Sequence, residues 1–211
     1  MSDPTENAAS EFAEILATLE GRRVVVVVTG SLSAAYLPYW LGFVNRLPHP
    51  PQLRVRLTRT ATSMVGTAAV TALLGRPTEL DSWDDAASGS TAHVELAEWA
   101  DAFLVHPCTF SYLGRVANGL ADTPTQLALQ CTTSPVVLCP ALPPGTLDAP
   151  AYKEHLERLT GRPDVTVLDP GTGVSTATGR REGLPPAPFP VGLASVATAL
   201  TSKSPREATD D

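Results

Sequence analysis

The chain has 211 residues, 43% of them hydrophobic, which is enough for one domain with a sizeable core and too apolar for a disordered chain. A formal charge of −7, with no basic run, excludes a nucleic-acid partner, because phosphate binding needs clustered Lys and Arg. The three cysteines, Cys108, Cys131 and Cys139, form no CxxC pair and argue against a disulfide framework or a metal site.

Residues 1–10 read as a flexible, acidic tail with no signal pattern. Phe12, Ile15, Leu16 and Leu19 recur at helical spacing and predict a helix over 11–20, ended by Gly21. Arg22 to Val28 reads as a parallel strand, since five consecutive valines suit a strand covered on both faces. That run is the longest apolar stretch and is far too short to span a bilayer, so the expectation is a cytoplasmic protein with no membrane partner. A turn, Thr29 to Ser33, leads into a helix over Ala34 to Leu47, where Pro38 marks either the true start or a kink. Leu53 to Leu57 is a second strand, Thr58 to Thr62 a second polar turn, and the stretch to Leu74 a helical segment.

Residues 75–90 read as a loop carrying Trp83. A helix over Ala92–Ala100, a strand over Ala102–Val105 and a helix over Thr109–Asn118 follow, the last closed by Gly119. Pro124 to Gln130 is helical, Pro135 to Cys139 a strand, Ala149 to Leu159 a helix and Val165 to Leu168 the last strand. Residues 169–190 are rich in Gly and Pro and read as a flap, or an arm on a neighbouring subunit. A short helix from Gly192 to Leu200 precedes a flexible tail at 203–211. Strands alternating with helices of this length predict a single α/β domain over 11–202, a three-layer sandwich around a parallel sheet.

The turns carry the chemistry. Thr29-Gly30-Ser31-Leu32-Ser33 follows a buried strand and opens a helix, where a phosphate would meet hydroxyls and the positive end of the helix dipole. It lacks the second and third glycines of the dinucleotide fingerprint, and helix capping by Ser31 or Ser33 explains it equally well. Thr58 to Ser63 offers more hydroxyls at the neighbouring strand end, which favours a phosphate cradle. His93 stands at a helix start, where the dipole disfavours the protonated ring, and a neutral imidazole is what a general base needs. His49 and His155 read as surface residues, and His106 as a site-lining or core group. Cys108 and Cys139 read as small buried hydrophobes at strand ends.

These pieces together resemble the homo-oligomeric flavin-containing cysteine decarboxylase family, from about Val24 to Pro186. VVVVVTGSLSAAY resembles the family's first strand and phosphate turn, and HVELAEWADAFLVHP the stretch that begins with its active-site histidine, here His93. PCTFSYLGRVANGLAD resembles the Pro-Ala-Ser-Ala-Asn-Thr motif and the helix after it, and SPVVLCPALPPG the strand leading into the Pro-x-Met-Asn substrate motif. DPGTGVSTATG resembles the Gly-rich segment that follows. The resemblance implies a flavodoxin-like (Rossmann-type) fold and FMN as cofactor, while altered motifs leave room for an extended flavin such as FAD. It assigns Gly30, Ser31, Ser33, Thr58 and Thr60 to the phosphate end, Pro107, Thr109 and Ser111 to the isoalloxazine ring, and Phe110, Ala141 and Leu142 to the substrate. It also implies a homotrimer, with four trimers making a dodecamer in some members.

Two departures steer the expected activity. Phe110 and Ser111 stand where the family has Ala and Asn, and Leu142 and Pro143 where it has Met and Asn. The branch that makes coenzyme A completes a reduction with a cysteine in the Gly-rich segment, and this chain has no cysteine after Cys139. The resemblance therefore implies that the reaction stops at an enethiol. Its substrate would be the C-terminal cysteine of a ribosomally made precursor peptide, oxidised to a thioaldehyde and decarboxylated on the way to an aminovinyl-cysteine ring. The alternatives are phosphopantothenoylcysteine decarboxylase itself and a non-catalytic flavin-binding regulator.

Overall fold

Five valines set the middle of the molecule. A computed structural model describes residues 12–84 and 91–202; the expected tails, and residues 85–90 of the expected loop, lie outside the described residues. Strand β1 (Arg23–Val28) buries Val24 to Val28 completely. Successive side chains point to opposite faces, so Val24, Val26 and Val28 enter one apolar cluster and Val25 and Val27 another. Helices must then cover both faces. A helix over residues 12–17 (α1), α2 (Leu37–Val44), α3 (Thr67–Leu74) and α8 (Phe189–Ser202) cover the first. The second lies under α4 (Ala92–Trp99), α5 (Phe110–Ala117), α6 (Pro124–Cys131) and α7 (Pro150–Thr160).

The other strands are β2 (Gln52–Leu57), β3 (Glu79–Leu80), β4 (Ala102–Thr109), β5 (Val136–Ala141) and β6 (Val165–Val167). Their order is β3-β2-β1-β4-β5-β6 and every pair is parallel. This is the expected three-layer, doubly wound α/β sandwich. The chain winds outward from β1 in one direction and from β4 in the other, which opens a crevice between their carboxyl ends.

Four differences from the expected elements shape that crevice. The loop over 75–90 contains β3, which pairs with Arg56 and Leu57. Strand β4 runs on through Pro107 and Cys108 to Thr109, so Thr109 caps α5 by accepting the Tyr112 N–H at 3.4 Å rather than starting the helix. Strand β5 extends with it, pairing Cys108 with Pro140 and Thr109 with Ala141 after a register shift. The helix expected from Ala34 begins as a 3-10 turn (Leu32–Tyr36), and Pro38 sits in the first turn of α2, where its missing N–H has no partner to lose.

Residues 169–190 fold back on their own domain. Gly173 and Gly183 exchange two backbone bonds of 2.9 Å, making a small hairpin, and Leu184 bridges Leu142. His106 fixes the far end, its Nε2 lying 2.8 Å from the Ala187 carbonyl and its ring edge-on to Phe189. Burial pushes the His106 imidazole below its ordinary range and keeps it neutral. Among the described residues no helix is long and apolar enough to cross a membrane.

Candidate active site

Thr29 ties the two strand ends of the crevice together. Its N–H and hydroxyl both donate to the Pro107 carbonyl, at 3.3 and 2.7 Å, and its Oγ1 accepts the Thr109 N–H at 2.9 Å. On the other side the Thr58 N–H donates to the Val28 carbonyl at 3.0 Å. The β1 and β2 turns are thereby drawn so close that a Cβ on Gly30 would lie 2.4 Å from Thr60 Cγ2 and 2.5 Å from Thr60 Cβ. Only glycine fits there. Ser31 caps the 3-10 turn, accepting the Ser33 N–H at 3.4 Å.

Two cavities open from this point. The first, about 550 Å³, lies above β1, β2 and β3, and Gly30, Thr58, Thr60, Thr109 and Ser111 line it. Its rim carries two arginines, each beside an acid: Arg59 bonds Asp84 at 3.4 Å and Arg115 bonds Asp122. Its floor carries Asp81 and Tyr112. Asp81 Oδ1 accepts the Thr125 N–H at 3.0 Å and the Thr125 hydroxyl at 2.6 Å, whereas Oδ2 has no partner. The Tyr112 hydroxyl is likewise buried without a partner. Burial, and then the Asp81 charge, push this phenol well above its ordinary range, so it stays protonated.

The second cavity, about 620 Å³, lies beside the first under the hairpin. Ser31, Ser33, Phe110, Ala141, Leu142 and Val174 are among its walls, and no charged side chain lines it among the described residues. Phe110 is backed by His155, whose ring centre is 5.7 Å away. Gly30, Thr109 and Ser111 face both cavities.

The expected site residues divide on this geometry. Gly30, Thr58, Thr60, Thr109 and Ser111 meet in the first cavity, and Ser31, Ser33, Phe110, Ala141 and Leu142 in the second. Pro107 lines neither, being buried with its carbonyl turned to Thr29. His93 also lines neither. It begins α4 with its ring 5.9 Å from Trp83, and its Nδ1 is buried with no partner. Cys108 and Cys139 are fully buried, and desolvation raises both thiols, that of Cys139 to about 12, so neither is a nucleophile. Asp81 and Tyr112 were not among the expected residues; one lies in the expected loop over 75–90 and the other in the expected helix over Thr109–Asn118.

Residues 13–183 match the model of the Flavoprotein family. The chain belongs to that family. Among curated proteins, this flavoprotein is 30% identical over 155 residues to the cypemycin cysteine dehydrogenase (decarboxylating) of a Streptomyces species, spanning 74% of this chain and 80% of that one. It is 30% identical over 146 residues to the coenzyme A biosynthesis bifunctional protein CoaBC of Escherichia coli K12, spanning 69% of this chain but 35% of that protein. Among solved structures, the cypemycin decarboxylase CypD matches with a TM-score of 0.71 at 26% identity, covering 87% of this chain and 96% of that one.

Proposed function

We propose that this flavoprotein is an FMN-dependent decarboxylase acting on the C-terminal cysteine of a ribosomally made precursor peptide, and that it works as a homotrimer. The observation that carries this reading is the pair of cavities sharing the wall of Gly30, Thr109 and Ser111, one with hydroxyl-bearing turns and one without a charged lining side chain. Similarity to the Streptomyces cysteine dehydrogenase supports the chemistry.

The residues present fit a flavin. The turns of Gly30 and Thr60 approach so closely that the missing Cβ leaves a notch between two strand ends, the kind of place where backbone comes up to a phosphate. One such pair of turns suits the single phosphate of FMN, which supports FMN over FAD. When bound, the flavin supplies the two-electron oxidation of the cysteine to a thioaldehyde, which then takes up the electrons of the departing carboxylate.

The chain's own residues hold and screen. Gly30, Thr58 and Thr60 hold the phosphate end, and Thr109 and Ser111 separate it from the groove that Ser31 and Ser33 line. Phe110 and Leu142 give the peptide end an apolar wall under the hairpin. A carboxylate that meets no cation in such a groove is poorly solvated, which favours its loss as neutral carbon dioxide. His93 takes and holds the thiol proton. Because it lines neither cavity of its own chain, we assign it to the cleft of a neighbouring copy in the trimer. The product is an aminoenethiol that closes to an aminovinyl-cysteine ring.

The CoaBC match favours a second reading, phosphopantothenoylcysteine decarboxylation. That substrate carries a dianionic phosphate, and the groove offers it no Arg or Lys among the described residues. Incubation of the FMN-loaded protein with a peptide ending in cysteine decides between them. Mass spectrometry should record loss of carbon dioxide and two hydrogens from the peptide; turnover of phosphopantothenoylcysteine alone would overturn the peptide reading.

A further inference from the structure

The floor of the first cavity holds polar atoms whose bonds are unmade. Asp81 is 2% and Tyr112 4% exposed, both line the cavity, and Asp81 Oδ2 and the Tyr112 hydroxyl lack partners. Buried polar atoms are rarely left unmet, and two on residues that line one cavity point to groups supplied by a ligand.

The chemistry of the two atoms limits what that ligand presents. Asp81 Oδ2 has only lone pairs to offer, so it needs an N–H or O–H. Its other oxygen is already occupied by Thr125. Arg56 does not complete the set. Its guanidinium bonds Glu79 at 2.5 Å and the Leu80 carbonyl at 3.0 Å, and its Nε stays 3.7 Å from Asp81 Oδ1. A carboxylate in this position repels a phosphate, so the anionic end of any occupant lies away from it, toward Gly30 and Thr60.

We infer that Asp81 and Tyr112 are flavin-positioning residues: Asp81 Oδ2 accepts a hydrogen bond from an N–H or O–H of the cofactor, and the Tyr112 hydroxyl donates one to a flavin oxygen. This rests on the flavin reading proposed above. FMN presents two kinds of donor to Asp81, the N3–H imide of the ring and the ribityl hydroxyls. A phosphate at Gly30 and Thr60 and a hydrogen bond to Asp81 together fix the direction in which the cofactor lies.

The test uses the full chain, stripped of flavin and titrated with FMN, with affinity, reduction potential and apoprotein melting read in parallel. Tyr112→Phe should weaken FMN binding about fivefold without lowering the apoprotein melting temperature, because it deletes an unmet hydroxyl. Asp81→Asn should weaken it about tenfold. If the donor is N3–H, wild type also discriminates against 3-methyl-FMN, and Asp81→Asn raises the potential because it removes a negative charge beside the ring. If the donor is a ribityl hydroxyl, affinity falls without either effect; both patterns support the assignment. Unchanged FMN affinity in Tyr112→Phe overturns it, including where Asp81→Asn does not fold. Wild type that takes up no FMN at all would instead remove the cofactor reading itself, and this inference with it.

Discussion

The two cavities at the carboxyl ends of the sheet share three residues and almost nothing else. The first has arginines paired with acids at its rim, hydroxyls at its turns and a buried carboxylate in its floor. The second is walled by apolar groups and hydroxyls, with no charged lining side chain among the described residues. A polar cleft suits a ligand with fixed charge and many hydrogen-bonding groups, whereas an uncharged groove suits a chain end about to lose its carboxylate. Their difference assigns two tasks to one crevice.

The largest effect should come from the notch. Gly30→Ala puts a Cβ 2.4 Å from Thr60 Cγ2, which forces the two turns apart. We expect colourless protein with at least tenfold weaker FMN binding and about 1–3 kcal/mol of lost stability, read by absorbance and thermal melting. Full FMN occupancy would break the assignment of the polar cleft. His93→Asn should keep its flavin and lose roughly 10²- to 10⁴-fold in turnover. Mixing it with Gly30→Ala should restore activity if the histidine serves a neighbouring copy; two inactive variants that stay inactive when co-assembled would place it elsewhere.

Val174 is 59% exposed on the groove wall, so Val174→Asp should fold normally. Its peptide kcat/KM should fall about tenfold by like-charge repulsion while FMN affinity stays unchanged. An effect on FMN alone would dissolve the distinction between the cavities. The smallest effect is a pH slope. His106 is buried and neutral with its pKa lowered, so the unfolded chain binds the proton more readily. Its contribution is therefore complete above about pH 6.5, the ordinary histidine value, and is lost as pH falls toward its lower folded pKa. The melting temperature should drop between pH 7 and pH 5, and His106→Gln should flatten that slope.

Much of the fold was legible because burial writes itself into composition. The valines of β1, covered on both faces, demanded a parallel sheet, and the helix spacing supplied its layers. The phosphate turns were legible because hydroxyls follow buried strands there. Strand β3 was not, since two residues carry no period, and its loss concealed Asp81, which follows it directly. The Asp81 N–H is paired with the Leu57 carbonyl at 2.8 Å only because β3 joins β2, and its carboxylate meets Thr125 only because α6 starts nearby. Tyr112 lies inside an expected helix, and only its buried hydroxyl without a partner sets it apart. His93 illustrates the opposite case: its residue type and setting marked it for chemistry, yet one chain alone gives it no cavity to serve.

The partition formed by Gly30, Thr109 and Ser111 also bears on how such a protein diversifies. A change at position 109 or 111 is felt on both sides at once, so a descendant cannot explore new chain ends there without disturbing its prosthetic group. The hairpin residues 174–177 touch one side alone. Variation in peptide preference should therefore accumulate along that rim while the dividing residues stay constant.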